Sequence, residues 1–224
     1  MELLPLGDQA VLAYLADEPA AVAFAAAVRA ANSPWLFDAV PAYASVGVFF
    51  DAEQVGTSEV LTWLESVTPS DAHHSSLITH HFKVPVCYEM QLDLSRVCEA
   101  TKLTADEVIR LHTAATYTVH AIGFVPGFPY LGYLPAEICG VGRLPSPRVR
   151  VEPGSVGLTG RQTGIYPLAR PGGWNLIGRT PLTIVDVAAG FFPLRVGDSV
   201  RFERIDEARY RELEGKRLEG ERPA

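Results

Sequence analysis

Arginine forms the most pronounced chemical pattern in this 224-residue sequence. Six arginines and a single carboxylate, that of Glu152, lie between residues 138 and 181, a local formal charge of +5 in a chain of net charge −7. Guanidinium groups bind carboxylates and phosphates through paired hydrogen bonds, so the segment predicts a site for a small anion. The alternative is that these side chains lie on the surface or pair with acidic groups elsewhere. They are Arg143, Arg148, Arg150, Arg161, Arg170 and Arg179.

A second pattern is a turn that carries three aromatic side chains. Pro126 and Gly127 suit the two central positions of a type II β-turn, because proline presets its φ angle and glycine accepts a positive one. The turn would present Phe124, Phe128 and Tyr130 to a ligand or a partner protein at little entropic cost. The alternative is a tight loop whose aromatic rings pack against the protein core.

Glycines also separate a run of polar and aromatic residues further along the chain. Because glycine lets a ligand approach the backbone closely, side chains between residues 154 and 174 are candidates for ligand contacts. The spacing does not match the G-x-G-x-x-G pattern of dinucleotide-binding proteins, and the chain has no Walker A motif. The candidates in this run are Gln162, Thr163, Tyr166 and Trp174.

His112 is the candidate for proton transfer, since it ends a predicted helix just before the aromatic turn. It could equally cap the last carbonyl groups of that helix. The other histidines considered flank one predicted strand and have no cysteine or carboxylate at the spacing of metal ligands, so we expect exposed side chains and no metal site. They are His73, His74, His80 and His81.

Composition limits the class of protein and its partners. With 48% apolar and 20% charged residues, the chain is typical of a globular protein, and its acidic balance excludes nucleic acid as the main partner. The longest apolar run, Ala20–Val28, is too short to span a membrane, and the N-terminus lacks the features of a signal peptide. Three cysteines without CxxC spacing indicate free thiols, so we expect a cytoplasmic protein that binds neither nucleic acid nor membrane.

Strand and helix patterns alternate over the first part of the chain. The order strand, helix, strand, helix, strand within about ninety residues predicts a small α+β domain of the ferredoxin-like type. Thr57 or Ser58 is the expected N-cap of the second helix. The predicted elements are Leu3–Leu15, Pro19–Ala31, Ala42–Phe50, Thr57–Val67 and Ser76–Val86.

The pattern then changes to short strands separated by glycine and proline turns. Thr104 and Glu107 form the sequence of a capping box before a helix over Val108–Thr113. Many short strands with such turns predict a barrel or a sandwich, and the charged segment 206–224 is expected to be a solvated tail. The strands are Thr116–Ile122, Ser155–Thr159, Leu182–Val187 and Asp198–Ile205.

Several ordered motifs together resemble the family of the B subunit of 5-oxoprolinase. The same family includes allophanate hydrolase subunit 1, the KipI-type inhibitors of histidine kinases and part of the carboxyltransferase portion of urea carboxylase. The resemblance covers about residues 1–205. It is carried by Pro85–Tyr88, His112, Gly123–Gly132, Pro147–Arg148, Gly154–Val156, Gly160–Pro167 and Pro171–Pro181.

This resemblance implies a fold and a set of partners. It implies a ferredoxin-like α+β domain over residues 1–84 and a mainly-β cyclophilin-like barrel over 85–205, before the tail at 206–224. It also implies an assembly with the A and C subunits of 5-oxoprolinase that uses ATP to cleave 5-oxo-L-proline, a small anion, to L-glutamate. No nucleotide motif indicates that this chain itself binds the ATP.

Phosphorylation of the lactam oxygen would develop negative charge, which arginines could stabilise. The candidate catalytic residues are therefore His112, for proton transfer, and Arg148. The candidate substrate-binding residues are Phe124, Phe128, Tyr130, Arg161, Gln162, Thr163, Tyr166, Trp174 and Arg179.

Other functions stay open at this point. A KipI-like inhibitor would use the aromatic turn as an interface with a sensor kinase and its arginines to meet the carboxylates of that kinase. A component of a urea or allophanate pathway is a further alternative. The implied barrel also occurs in prolyl isomerases, but a fold alone does not carry an activity.

Overall fold

The computed structural model describes residues 1–69 and 80–221. The chain divides into two compact units, residues 1–78 and 79–224, which are described separately. The predicted pair His73 and His74 lies outside the described residues. Within the described ranges, no helix is both long and apolar enough to cross a membrane.

In its described part, residues 1–69, the first unit is a four-stranded antiparallel sheet with two helices. The strands lie side by side in the order β1-β2-β4-β3, and helices and strands bury one shared apolar core that includes Phe24, Val48 and Leu64. The elements are β1 (Glu2–Pro5), β2 (Ala10–Tyr14), α1 (Glu18–Ala30), β3 (Leu36–Ala42), β4 (Ser45–Phe50) and α2 (Thr57–Ser66).

Helices α1 and α2 begin at caps that local chemistry explains. Asp17 accepts a hydrogen bond from the backbone N–H of Ala20 at 2.8 Å, which satisfies a free donor at the start of the alanine-rich helix α1. Helix α2 begins one residue earlier than expected, since Gly56 and not Thr57 or Ser58 is its N-cap. The Glu59 carboxylate accepts the Gly56 N–H at 3.0 Å and holds this start in place.

The second unit is built on an eight-stranded mixed sheet. Its strands lie in the order β12-β9-β10-β7-β6-β13-β5-β14, and β13 is parallel to β5 while the other pairs are antiparallel. A separate pair, β8 and β11, is also antiparallel. The strands are β5 (His81–Val86), β6 (Thr116–Ile122), β7 (Pro129–Gly132), β8 (Arg148–Val151), β9 (Ser155–Thr159), β10 (Gln162–Ile165), β11 (Arg170–Gly172), β12 (Asn175–Arg179), β13 (Ser199–Arg204) and β14 (Gly220–Glu221).

Two backbone hydrogen bonds connect distant strands of this sheet. Cys87, which directly follows β5, donates to the carbonyl of Arg179 in β12 at 2.9 Å and accepts from its N–H at 3.0 Å. Because β5 and β12 lie near opposite ends of the strand order, this bridge brings the sheet around on itself.

Three helices accompany the sheet: α3 (Leu94–Thr101), α4 (Ala105–Ala114) and α5 (Glu207–Leu213). The expected capping box at the start of α4 is confirmed. The Thr104 N–H donates to the Glu107 carboxylate at 2.7 Å, and the Glu107 N–H donates back to the Thr104 hydroxyl at 3.3 Å. The buried side chains of α3 and α4, among them Val97 and Val108, join the main core of the unit.

The domain boundary expected at residues 84 and 85 falls inside β5. This strand pairs with β13 along its whole length, from His81 opposite Ser199 to Val86 opposite Arg204. Its inward side chains Phe82, Val84 and Val86 are buried in the core of the second unit, so the entire strand belongs there.

The expectation of a solvated tail after residue 205 is wrong. Residues 207–213 form α5, where Tyr210 is buried, and β14 pairs with β5. Leu218 is 2% exposed and belongs to the main core, and its N–H donates to the carbonyl of Thr183 at 3.1 Å. The segment has few apolar residues, but two of them, Tyr210 and Leu218, are buried.

A buried polar network surrounds His112 in the same core. The Thr163 hydroxyl donates to the carbonyl of Gly157 at 3.0 Å, so its oxygen is left to accept the Nε2–H of His112, also at 3.0 Å. Nδ1 of His112 then accepts the hydroxyl hydrogen of Tyr88 at 2.7 Å. Phe202 stacks on the imidazole with ring centroids 4.5 Å apart. Both ring nitrogens are therefore satisfied inside the protein.

Burial sets the charge state of this network. It lowers the pKa of His112 to about 3 and raises the pKa of Tyr88 well above its usual value. The imidazole is thus neutral at physiological pH, and the tyrosine keeps the hydrogen that it donates.

We expect Leu218→Ala to lower the free energy of unfolding by about 2–5 kcal/mol, because a buried leucine is replaced by a cavity. The matched control is Arg211→Ala, which removes an exposed ion pair with Glu207 in α5 and should leave stability unchanged within error. Urea unfolding measures both. Equal, small effects of the two variants would show that the segment contributes nothing to the core.

A second prediction concerns pH. Unfolded His112 takes up a proton near pH 6.5, whereas folded His112 stays neutral down to about pH 3. The contribution of His112 to the free energy of unfolding is therefore complete above pH 6.5 and is lost as the pH falls below it. The stability advantage of the wild type over His112→Gln should therefore shrink by roughly 1 kcal/mol for each pH unit below 6.5. Urea unfolding at pH 7.5 and 5.5 tests this, and a difference that does not change with pH would contradict it.

Candidate functional site

An aromatic pocket of about 270 Å³ lies in the second unit. Its walls contain all five of the aromatic residues singled out in the sequence, together with a cation and two prolines. Drug-sized ligands usually occupy pockets of about 300–1,000 Å³, so this one suits a smaller molecule. The lining residues are Phe124, Phe128, Tyr130, Tyr166 and Trp174, with Arg143, Pro147, Pro171, Gly172 and Gly173.

The predicted turn at Pro126 and Gly127 is confirmed and holds one wall. The N–H of Phe128 donates to the carbonyl of Val125 at 3.1 Å, and Gly127 has a φ of +75°, as the third position of a type II turn requires. Phe124 also adopts a positive φ, of 67°, and the residue is 59% exposed. The turn therefore keeps one ring at the mouth of the pocket and buries the other, that of Phe128.

Phe128 is the centre of the aromatic cluster. Its ring makes edge-to-face contacts with the rings of Tyr130, Tyr166, Trp174 and Phe124 at centroid distances of 5.0, 5.2, 5.3 and 5.6 Å. Edge-to-face pairs are each worth about 0.5–1.5 kcal/mol beyond the area they bury. The walls of the pocket are consequently fixed before any ligand arrives.

Two glycines make room for these rings. A Cβ atom at Gly164, in β10, would come within 3.0 Å of both Phe128 and Trp174. A Cβ atom at Gly172, in β11, would collide with the hydroxyl end of Tyr166. The glycine-rich composition of this region is thus a packing requirement of the aromatic cluster.

Among the residues that the structure describes, Arg143 is the one cation that lines the pocket. Its side chain is exposed, and no carboxylate in residues 1–69 or 80–221 lies within ion-pair distance of it. Burial raises the pKa of Tyr130 and of Tyr166, and the charge of Arg143 acts in the opposite direction on both. The guanidinium and the two tyrosines therefore share one electrostatic environment.

Arg148 is committed to a buried ion pair rather than to the pocket. Its Nη2 donates to Asp93 Oδ1 at 2.6 Å, and the Asp93 carboxylate, which is 6% exposed, also accepts the N–H of Leu176 at 2.7 Å. Nη1 of Arg148 is buried and has no hydrogen-bond partner among the residues that the structure describes. The charge of Arg148 lowers the pKa of Tyr166, although burial of that tyrosine has the larger, raising effect.

The remaining arginines of the basic segment do not meet at one point. Arg150 pairs with Glu152 at 2.6 Å, and Arg161 lies over the ring of Tyr133 at 4.2 Å from its centroid. The guanidinium of Arg179 donates to the carbonyl of Pro153 at 3.1 Å, and that of Arg170 to the carbonyl of Ala169 at 3.3 Å. The structure brings one arginine to the pocket, where the local charge of +5 had suggested several.

Three other candidates also lie away from the pocket lining. Thr163 is buried and bonded to His112, and Gln162 is half-buried beside it on β10, opposite Gly132 and Thr159. His112 itself is fully buried in the network described above. Gln162 and Thr163 share strand β10, and Thr163 joins His112 of helix α4 in the core, but none of the three lines the aromatic cavity.

The structure shows residues that the sequence analysis did not single out. Arg143 was one of six equivalent arginines, and only the fold shows that its neighbours are aromatic walls. Pro147 and Pro171 complete those walls, and the motifs Pro147–Arg148 and Pro171–Pro181 were the available signals for them. Within residues 1–69 and 80–221, no cluster of three or more histidine, cysteine or acidic side chains could hold a metal ion. The free cysteines are Cys87, Cys98 and Cys139.

Comparison with known proteins identifies a sequence relative and solved structures with a similar fold. The chain is 36% identical to the B subunit of 5-oxoprolinase from Bacillus subtilis (strain 168) over 230 aligned positions, which cover 92% of this chain and 93% of that protein. The crystal structure of TTHA0988 matches with a TM-score of 0.76 and 33% identity over 88% of this chain, which spans 40% of that one. Urea amidolyase of K. lactis shares the fold, with a TM-score of 0.76 and 17% identity; the match covers 99% of this chain and 16% of the amidolyase chain.

The sequence profile of one family matches residues 1–190, most of both units. Together with the Bacillus subtilis relative, which aligns over nearly its whole length, this confirms the resemblance seen in the motifs. The chain belongs to the family described as carboxyltransferase domain, subdomain C and D.

Proposed function

We propose that this chain is the B subunit of an ATP-dependent 5-oxoprolinase, which cleaves 5-oxo-L-proline to L-glutamate together with the A and C subunits in the cytoplasm. The observation that carries the proposal is the relative named as the B subunit of 5-oxoprolinase, aligned at 36% identity over 93% of its length. The assembly as a whole uses the ATP, and this chain contributes binding and electrostatic groups.

Two finer features of the fold belong to the same proposal. The order β2-α1-β3-β4-α2 and the sheet order β1-β2-β4-β3 support a ferredoxin-like first unit in which β1 takes the place of the last strand. The bridge from Cys87 to Arg179 supports a closed, cyclophilin-like barrel for the second unit.

The chemistry requires stabilisation of negative charge. The lactam is a stable amide. Transfer of the γ-phosphoryl group of ATP to its oxygen releases ADP and makes the ring carbon electrophilic enough for water to add, after which the ring C–N bond breaks and phosphate is released by hydrolysis. Arg148 does not line the pocket, but its charge acts on Tyr166 in the pocket wall and its Nη1 has no partner in the described part of the chain, so we assign the stabilisation of the negative charge to Arg148. Arg161 and Arg179 are secondary candidates, since each is held by a ring or a carbonyl and not by a carboxylate.

His112 has a different role in this proposal. Because both of its ring nitrogens are bonded within the core and burial lowers its pKa to about 3, it transfers no proton to a substrate in the pocket. It is a positioning residue that fixes Thr163 and hence strand β10, which carries Gln162 and Gly164.

The test is reconstitution of the chain with the A and C subunits. The complete assembly should release glutamate from 5-oxo-L-proline only when ATP is present, and omission of this chain should abolish the release. A complete, folded assembly that releases no glutamate would overturn the proposed function.

Arg148 provides a second prediction, measured in the same assay. Arg148→Ala should lower the turnover at least tenfold, whereas Arg150→Ala, which removes an exposed cation two residues away, should leave it unchanged. Arg148 also neutralises buried Asp93, so the comparison includes Asp93→Asn, which weakens the ion pair but keeps the guanidinium. Equal losses of turnover in Arg148→Ala and Asp93→Asn would assign Arg148 a structural role only.

The fold shared with urea amidolyase favours one alternative, a component of a urea or allophanate pathway. The KipI-like alternative predicts a different result, namely inhibition of the autophosphorylation of a sensor histidine kinase by the isolated chain. Either activity, in the absence of glutamate release by the reconstituted assembly, would replace the proposal.

A further inference from the structure

The aromatic pocket combines rigid apolar walls with one positive charge. The rings of Phe128 and Trp174 are almost completely buried and are fixed by edge-to-face contacts, so they offer a preformed apolar surface. Arg143 stands at the same cavity together with Tyr130 and Tyr166. Apolar walls with a few converging polar groups are typical of small-molecule sites.

Arg143 has no evident structural task. Seven other arginines of the described residues form ion pairs with carboxylates, whereas none lies within ion-pair distance of Arg143 there. Its backbone is nevertheless anchored, because the N–H of the next residue, Leu144, donates to the carbonyl of Gly173 in the pocket wall at 2.7 Å. The chain thus holds a cation at the cavity without neutralising it.

Size and charge limit the ligand. A cavity of about 270 Å³ with one guanidinium is matched by a small ring that carries one carboxylate. A nucleoside triphosphate would need a larger cavity and several cations to bind its phosphates.

We propose that this pocket binds the five-membered ring of 5-oxo-L-proline between its aromatic walls and that Arg143 binds the carboxylate of that ligand. The inference rests on the proposed function for the identity of the ligand. Its chemical content, a small cyclic carboxylate held by Arg143, comes from the pocket itself. Arg143 is then a specificity-determining residue, because it distinguishes the acid from the uncharged lactam.

Binding to the isolated chain is measured with three probes. 5-Oxo-L-proline has both the lactam ring and the carboxylate, 2-pyrrolidone has only the ring, and acetate has only the carboxylate. Trp174 lines the pocket, whereas the other two tryptophans, Trp35 and Trp63, belong to the first unit, so the change in fluorescence during the titration reports occupancy of the pocket. Isothermal titration gives the dissociation constant independently.

We expect 5-oxo-L-proline to bind more tightly than either partial probe. Arg143→Ala should raise its dissociation constant about 10- to 100-fold, the effect of losing a hydrogen-bonded charge, and should leave that of 2-pyrrolidone unchanged. Arg143→Lys should recover only part of the loss, because an ammonium group lacks the paired geometry. Arg195→Ala removes an exposed arginine outside the pocket lining and is the control for total charge.

Three results would overturn the proposal: no binding of 5-oxo-L-proline by the wild-type chain, equal binding by Arg143→Ala, or an equal loss in Arg195→Ala. Thermal unfolding confirms that each variant is folded. The reconstituted assembly separates this proposal from the proposed function. If the Arg143→Ala assembly is active and its KM is unchanged, the proposed role of the pocket is rejected but the proposed function stands. If 5-oxo-L-proline binding depends on Arg143 but the assembly releases no glutamate, the proposed function is rejected but the pocket proposal stands.

Discussion

A single buried carboxylate, that of Asp93, connects the segments on both sides of the aromatic pocket. It accepts the N–H of Leu176, two residues after Trp174, and the guanidinium of Arg148, next to Pro147. The Asp93 N–H in turn donates to the carbonyl of Leu176 at 2.9 Å. Such a group is expensive to bury unless it is fully paired, so the position of each segment is tied to that of the other.

The pocket is rigid because glycine and aromatic residues complement each other. The rings around Phe128 fill the space that Gly164 and Gly172 leave open, and the turn at Pro126 and Gly127 aims two of them. A ligand that enters therefore loses little free energy to the ordering of side chains, and affinity is set by how well its own shape and charge match. The same rigidity makes one exposed arginine at the rim decisive for selectivity.

Local patterns in the sequence predicted the features that depend on local chemistry. The capping box of Thr104 and Glu107, the turn at Pro126 and Gly127 and the sheet-rich second unit all follow from residues close together in the chain. The structure also brings the aromatic candidates together.

Features that depend on partners far away in the chain could not be predicted from such local patterns. Nothing near Arg148 indicates that Asp93, 55 residues away, would bind it, and His112 looked available because Thr163 is 51 residues away. The composition of the segment after residue 205 is charged and predicts solvation, whereas two of its apolar side chains, Tyr210 and Leu218, are buried.

The parallel pairing of β5 with β13 has a consequence for how the second unit is made. The hydrogen bond from the His80 N–H to the Asp198 carboxylate at 2.9 Å spans 118 residues, and β14 joins the same strand from still later in the chain. During synthesis, β5 leaves the ribosome before its pairing strands β13 and β14, so its backbone hydrogen bonds stay unpaired until residues 199–221 have been made. Contacts of such sequence separation form slowly, and exposed strand edges invite pairing with other chains. The first unit, whose sheet pairs only strands within residues 2–50, is free of this delay and can fold while the rest is still being translated.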